Sequence, residues 1–307
     1  MLDGAMDDST IAAILIDLAE RGETAAEIAG AARAMRVRMK RIAAPEGAID
    51  VCGTGGDGQH SLNVSTAVAL VVAACGVPVA KHGNRAASSL AGGADTLEVL
   101  GLDLARASEL AEQTLPDLGI AFLFAPAHHP ALGRVAPIRR ALGRRTIFNL
   151  LGPLANPAGV RRQLVGVAHP SLIALYRDAM QLLGTEAALI VSGAEGLDEL
   201  SIAGTSYVAA IGIDGILTEI GPDDAGLTPH PLADLRGGDA EFNAEALRLL
   251  LHGEPGAYRD AVLLNAAGAL LVAGQVDDWL EGVEEAAEAL DKGLAKALLD
   301  CWIDTVK

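Results

Sequence analysis

The sequence predicts an α/β protein: an all-helical start, then a mostly parallel sheet flanked by helices. Three observations carry this. From Asp8 to about Arg41 the apolar positions keep helical spacing and no strand-like run intervenes. From Ala48 onward short β-rich runs alternate with helical patterns, the order that a parallel sheet with crossover helices requires. A composition that is 51% hydrophobic but only 3% aromatic describes a core of Ala, Val, Leu and Ile, suited to helices and buried parallel strands.

Each element has its own signal. "DSTIAAILIDLAERGETAAEIAGAARAMRVRMKR" reads as two helices around Gly22, with Thr24 capping the second and Glu27 completing a capping box. "AIDVCG", "VPVAKHG", "IAFLFAP", "QLVGVAH" and "AALIVSG" read as strands, and ligand chemistry is expected at their carboxyl ends. "SYVAAIGIDGILTEIG", with its central Asp-Gly, reads as a hairpin appended late in the fold. The stretch 133–159 is helical, basic and rich in Gly and Pro, and helical pattern returns after about Glu241.

Composition also limits the function classes. The 307 residues carry 40 acidic and 23 basic side chains, a formal charge of −17, which opposes binding to polyanions and excludes nucleic acid as the main partner. Cys52, Cys75 and Cys301 have no metal-type spacing, which fits a reduced, cytoplasmic setting. The N-terminus is acidic where a signal peptide is basic, and every long apolar run is broken by a charge, Gly or Pro. A soluble cytoplasmic protein without a membrane partner is expected.

The segment "VCGTGGDGQHSLNVST" holds the densest signal. Gly53, Gly55 and Gly58 fit G-x-G-x-x-G, yet the helix starts later, with Asn63 as cap, and the next strand ends in Lys81-His82-Gly83-Asn84-Arg85 instead of an acid for a ribose. Gln59 also excludes a P-loop, which needs Lys after its last glycine. Glycines, a helix start with Ser65 and Thr66, and two cations at one sheet edge point to more than one phosphate. Taken singly, each has a plain reading: a tight turn, a capping set, surface charges.

"LDELS" places Asp198 and Glu199 side by side after the strand "AALIVSG". Adjacent carboxylates are commonly a solvated turn, but at a phosphate site they are the hard oxygen ligands that Mg²⁺ takes alongside substrate phosphates. His128-His129 lacks a third ligand at metal spacing and reads better as imidazoles packed on a substrate ring or donating hydrogen bonds. Among Arg134, Arg139, Arg140, Arg144 and Arg145, most read as surface charges and one or two as pointing inward. Gly152-Pro153 and Asn156-Pro157 are rigid turns suited to a substrate wall.

These motifs occur together and in order: "GTGGD", "NVST", "KHGNR", "FAPAHHP", "RTIFNLLGPLANP" and "GLDELS". In them the chain, from about Asp8 on, resembles the anthranilate phosphoribosyltransferase family. The resemblance implies a small helical domain, 1–45 with about 130–162, and a large α/β domain, 46–129 with about 163–307, with the active site between them and homodimerisation through the helical domain. It implies phosphoribosyl transfer from phosphoribosyl pyrophosphate to anthranilate. The first substrate would meet Gly53, Gly56, Asp57, Ser61, Asn63, Val64, Ser65, Thr66, Lys81, His82, Gly83, Asn84, Arg85, Ala86, Ala87, Ser88, Ser89 and Gly93. Anthranilate would meet Gly53, His82, Asn84, His129, Arg139 and Pro153; Ser65, Asp198 and Glu199 would hold magnesium, as a pair of ions; Lys81, His82 and Arg139 would be catalytic.

Two departures stand out. The family usually carries a further helix ahead of the first one here, so a truncated start or an altered dimer contact is expected. After Ser89 the family has Lys-Ser-Gly-Ser where this chain has Leu90-Ala91-Gly92-Gly93, so some phosphate contacts must come from backbone amides or be absent. The competing readings are a pyrimidine nucleoside phosphorylase-like enzyme, which "KHGNR" and Arg139 oppose, and a non-catalytic nucleic-acid-binding relative, which the charge opposes.

Overall fold

The structure is a computed structural model in which residues 1–86 and 90–307 are described. Helices α1 (Asp8–Arg21) and α2 (Ala25–Arg36) open the chain, and the capping box forms: Thr24 Oγ1 accepts from the Glu27 amide while Glu27 reaches back to the Thr24 amide. Then come β1 (Ile49–Gly53), α3 (Val64–Ala74), β2 (Val79–Gly83), α4 (Gly93–Val99), α5 (Leu104–Glu109), α6 (Ala111–Leu118) and β3 (Ile120–Phe124). The punctuated stretch gives α7 (Ala125–His128), three short 3₁₀ turns and α8 (Ala136–Leu142). Strands β4 (Arg162–Gly166), β5 (Ala187–Gly193), β6 (Ser206–Ile211) and β7 (Glu219–Ile220) complete the sheet, with α9 (Leu172–Leu182) after β4. Helices α10 (Ala240–Leu251), α11 (Ala257–Ala273), α12 (Trp279–Asp291) and α13 (Leu294–Thr305) close the chain.

The strands form one sheet in the order β3-β2-β1-β4-β5-β6-β7, parallel through β5 and antiparallel thereafter. Strand order reverses direction between β1 and β4, the switch point outside which open α/β sheets bind ligands. Alternation along the strands feeds two large cores and a smaller cluster around Ala80, Ala121 and Leu123. Ile49, Val51, Leu164, Leu189 and Val191 face α3 and α11 to α13, whereas Cys52, Val165, Ala188 and Ile190 face α9 and the N-terminal helices. In that second core Ile11, Leu15, Ile28 and Met35 pack with Val135, Ile138, Leu150 and Leu154, so the helical stretches are seated on the sheet by one continuous apolar layer.

Two details differ from the sequence reading. The Asp214-Gly215 pair does not make a tight hairpin turn; it sits inside the 212–218 connection, and β6 pairs with β7 only through Ser206–Ile220 and Tyr207–Glu219. Asn63 stands at the N-cap position of α3, but its side chain does not cap. It donates to Ala91 O and accepts from Thr96 Oγ1 and Asn243 Nδ2, a bridge between three segments that the spacing of one helix cannot reveal.

Candidate active site

The carboxyl ends of β1 and β4 meet at Gly53 and Gly166. Both are glycine because the acidic loop lies directly on them: a Cβ at Gly53 would stand 2.1 Å from Asp198 Oδ2, and one at Gly166 would stand 1.6 Å from the Asp198 carbonyl oxygen. The glycine loop then turns away with left-handed backbone at Gly55, Gly56 and Gly58, where a side chain would be strained though not crowded. The Gly55 amide donates to Asp198 Oδ2 at 2.7 Å, tying this loop to the acidic one. Asp57 Oδ1 accepts from the Gln59 amide, while its Oδ2 is buried with no hydrogen-bond partner among the described residues. Gln59 donates to Glu195 O, and Ser61 bridges Arg236, so the far end of the loop is fastened as well.

Burial raises the pKa of Asp198, and the nearby Asp57 charge raises it further. Glu199 is raised by burial and by Asp198, with Lys81 opposing. Neither carboxylate forms an ion pair among the described residues. Ser65, in the first turn of α3, presents its hydroxyl to Lys81 Nζ at 3.2 Å. Among the described residues no group of three or more His, Cys, Asp or Glu is placed to hold a metal alone. Two enclosed carboxylates, a hydroxyl and the orphaned Asp57 oxygen instead make a partial oxygen shell that fits Mg²⁺ bound jointly with phosphate.

Strand β2 sends consecutive side chains to opposite faces. Lys81 lies on the α3 side, 5% exposed, donating to Val51 O at 2.8 Å as well as to Ser65, so it is no surface charge. His82 lies on the other side. Its Nδ1 faces Gly152 O at 3.0 Å; a carbonyl only accepts, so Nδ1 carries the hydrogen, and Nε2 lies 3.2 Å from His129 Nε2. Burial depresses His82 to about 3 and His129 to about 4. His128 instead joins Lys40 O through Nδ1 and takes no part in the crevice wall.

At the end of β2 Gly83 admits the Phe122 ring, and further on Gly93 admits the Thr66 hydroxyl; a Cβ at either would have to displace that side chain. Asn84 is exposed and accepts from the Arg85 amide. Arg85 departs from the picture of an open cation: its guanidinium pairs with Asp95 and Glu98 on α4. The Ala86 and Gly92 amides both donate to Asp95 Oδ2, so the Gly92 amide, one of those expected to replace the family's Lys-Ser-Gly-Ser contacts, is already engaged. Ala87, Ser88 and Ser89 lie outside the described residues.

On the helical side, α8 offers Arg139, half-buried, its guanidinium 5.4 Å from the centre of the Phe148 ring and in no ion pair or hydrogen bond among the described residues. All the expected site residues that are described line one cavity of about 610 Å³: the glycine and α3 residues Gly53, Gly56, Asp57, Ser61, Asn63, Val64, Ser65 and Thr66; the β2 stretch Lys81 to Ala86; and Gly93, His129, Arg139, Pro153, Asp198 and Glu199. The cavity adds residues that the sequence reading does not single out: Met35, Phe122, Leu132, Phe148 and Asn149; of the arginine cluster, of which one or two are expected to point inward, it takes in Arg145 beside Arg139. Met35, at apolar helical spacing, and Phe122, in an apolar strand, read as core, so only the fold exposes them as wall.

Comparison with known proteins agrees with this geometry. A family model described as "Glycosyl transferase family, helical bundle domain" matches residues 1–39, and one described as "Glycosyl transferase family, a/b domain" matches 45–296. The chain is 66% identical over 305 residues to an anthranilate phosphoribosyltransferase of Novosphingobium aromaticivorans, covering 99% of this chain and 92% of the relative. It superposes on the crystal structure of anthranilate phosphoribosyltransferase from Thermus thermophilus with a TM-score of 0.93 at 44% identity, covering 99% of this chain and 92% of that one. The Saccharomyces cerevisiae enzyme in complex with phosphoribosyl pyrophosphate and Mg gives a TM-score of 0.90 at 30% identity, covering 99% and 89%. With family models matching most of the chain and relatives covering 99% of it, the chain belongs to the anthranilate phosphoribosyltransferase family.

Proposed function

We propose that this crevice carries out its family's reaction: phosphoribosyl pyrophosphate and anthranilate give N-(5-phosphoribosyl)anthranilate and diphosphate, a step of L-tryptophan biosynthesis. The observation that carries the reading is a two-ended cavity. One end holds Asp198 and Glu199, beside a glycine loop and the start of α3, and the other holds Arg139 against Phe148; none of the three is in an ion pair among the described residues. An aromatic acid suits the second end, since a guanidinium meets a carboxylate with two parallel hydrogen bonds while the ring packs on apolar wall.

In the reaction the bond from the ribose anomeric carbon to diphosphate breaks and the anthranilate nitrogen bonds to that carbon, losing one proton. Bound magnesium, a pair of ions of which at least one arrives with phosphoribosyl pyrophosphate, supplies positive charge against the departing diphosphate. The chain's own residues do the rest by binding and orientation. The open amides of the glycine loop and of α3 receive phosphate oxygens. Lys81, fixed between Val51 O and Ser65, holds positive charge under the metal-binding hydroxyl. Arg139 and Pro153 orient the acceptor ring, and that orientation is the main service to the amine. His82 serves as wall and not as base: its Nδ1 is held by Gly152 O, and burial depresses its pKa to about 3. The aryl amine is already neutral at pH 7 and its proton leaves to water.

Residues 1–45 with about 130–162 act as the small helical domain and 46–129 with about 163–307 as the large one, in a cytoplasmic homodimer. No helix among the described residues is long and apolar enough to cross a membrane. Loss of anthranilate fluorescence on adding phosphoribosyl pyrophosphate and Mg²⁺ tests the reading. Turnover that needs all three is expected; release of base from a pyrimidine nucleoside by free phosphate, with no anthranilate consumed, would overturn it.

A further inference from the structure

Strands β1 and β2 pair at Ile49–Val79 alone, while β1 stays in register with β4 to Gly53 and β2 with β3 to Gly83. The seam between them therefore opens toward the crevice, and side chains take over the polar groups a ladder would have satisfied. Asp50 Oδ1 accepts the His82 amide at 3.1 Å, Lys81 Nζ donates to Val51 O at 2.8 Å, and Asn156 Nδ2 donates to Ala80 O at 2.8 Å. Asp50 sits at the centre of this plug, fully buried, with Oδ2 accepting from Asn156 Nδ2 at 2.8 Å. Every one of its neighbours donates, so the position requires a group that only accepts. It touches no part of the cavity surface.

We infer that Asp50 is a positioning residue for the aromatic acceptor, acting through the His82 main chain and Asn156 to set the wall made by His82, His129, Gly152 and Pro153. Asn156 lies three residues past Pro153, and Gly152 O holds the His82 ring, so the carboxyl group fastens that wall from both sides. This rests on the proposed anthranilate reading.

Asp50→Asn is the test, because the amide must turn its NH₂ toward one of two donors and break one side of the fastening. The expected result is a folded protein with a KM for anthranilate raised about tenfold and a KM for phosphoribosyl pyrophosphate within about twofold. In a His82→Ala background the same change should add little to the anthranilate KM. A lower melting temperature with both KM values unmoved, or an equal rise in both, overturns the proposal. Should Asp50→Asn not fold, Asn156→Ala must give the same one-sided KM split, and unchanged constants there overturn it equally. A long-range ¹H–¹⁵N spectrum of the imidazoles needs no substrate: displacement of the His82 Nε2 resonance in the variant supports the proposal, and an unmoved one overturns it. If wild-type protein consumes no anthranilate, the functional reading falls, and this spectrum still decides the role of Asp50.

Discussion

Arg139 and Arg140 are neighbours in sequence with opposite fates. Arg140 is exposed, whereas Arg139 is half-buried on Phe148 with its pKa lowered by desolvation, a partly desolvated cation in no ion pair among the described residues. Such a group is costly unless an anion completes it. Truncating one partner of a desolvated, hydrogen-bonded charge pair loses about 2–5 kcal/mol. Arg139→Ala should therefore raise the anthranilate KM by at least about tenfold, roughly 1.4 kcal/mol, with phosphoribosyl pyrophosphate little affected, and Arg140→Ala should leave both unchanged. Steady-state kinetics with each substrate varied in turn checks this, and equal losses for both substrates would make Arg139 a phosphate contact or a structural residue. Arg85 shows the opposite limit of residue-level reading. Nothing in "KHGNR" announces Asp95 and Glu98, ten and thirteen positions on, as its partners.

The elements of this site were legible where a residue type answers to a local rule, and illegible where tertiary approach decides. Strand ends, the first two helices and the glycine loop follow from alternation, capping and left-handed backbone. The late hairpin was legible as a pairing but not as a turn, because seven residues, 212–218, separate its strands. Gly166 gave no signal at all, yet it is the residue on which the acidic loop rests. Gly166→Ala would drive a methyl group into the Asp198 main chain, which, unlike a flexible side chain, cannot swing aside. The loop carrying Asp198 and Glu199 should shift, and kcat/KM should fall at least about a hundredfold, roughly 2.7 kcal/mol of transition-state stabilisation. Gly30→Ala, in the middle of α2 with open space around its Cβ, is the matched control; it should keep full activity and gain up to about 1 kcal/mol of stability. Activity and melting temperature measured on both variants separate the two outcomes.

For the molecule as a whole, a chain of net charge −17 must bind two anionic substrates, and it does so by setting local cations and amides into an acidic body. The cost is concentrated in the crevice, where burial raises the pKa of both Asp198 and Glu199. The folded state therefore holds protons that the unfolded chain has released at the same pH, and stability falls as pH rises from the ordinary carboxylate range toward the raised folded-state values. On the proposed assignment, magnesium bound with diphosphate needs these carboxylates ionised, so it competes with those protons and its stabilising effect grows over the same interval. Between about pH 5 and about pH 8 the melting temperature of the free protein should decline, and the gain on adding Mg²⁺ with diphosphate should increase, reaching roughly 5 °C at about a hundred times the dissociation constant. Asp198→Asn with Glu199→Gln should abolish most turnover, flatten the pH dependence of the free protein and remove the magnesium gain while leaving the fold intact, since neither side chain belongs to the apolar cores. Differential scanning fluorimetry across this range, on wild type and double variant with and without Mg²⁺ and diphosphate, measures both slopes. A magnesium gain that is independent of pH, or that survives in the double variant, would place the cation away from Asp198 and Glu199.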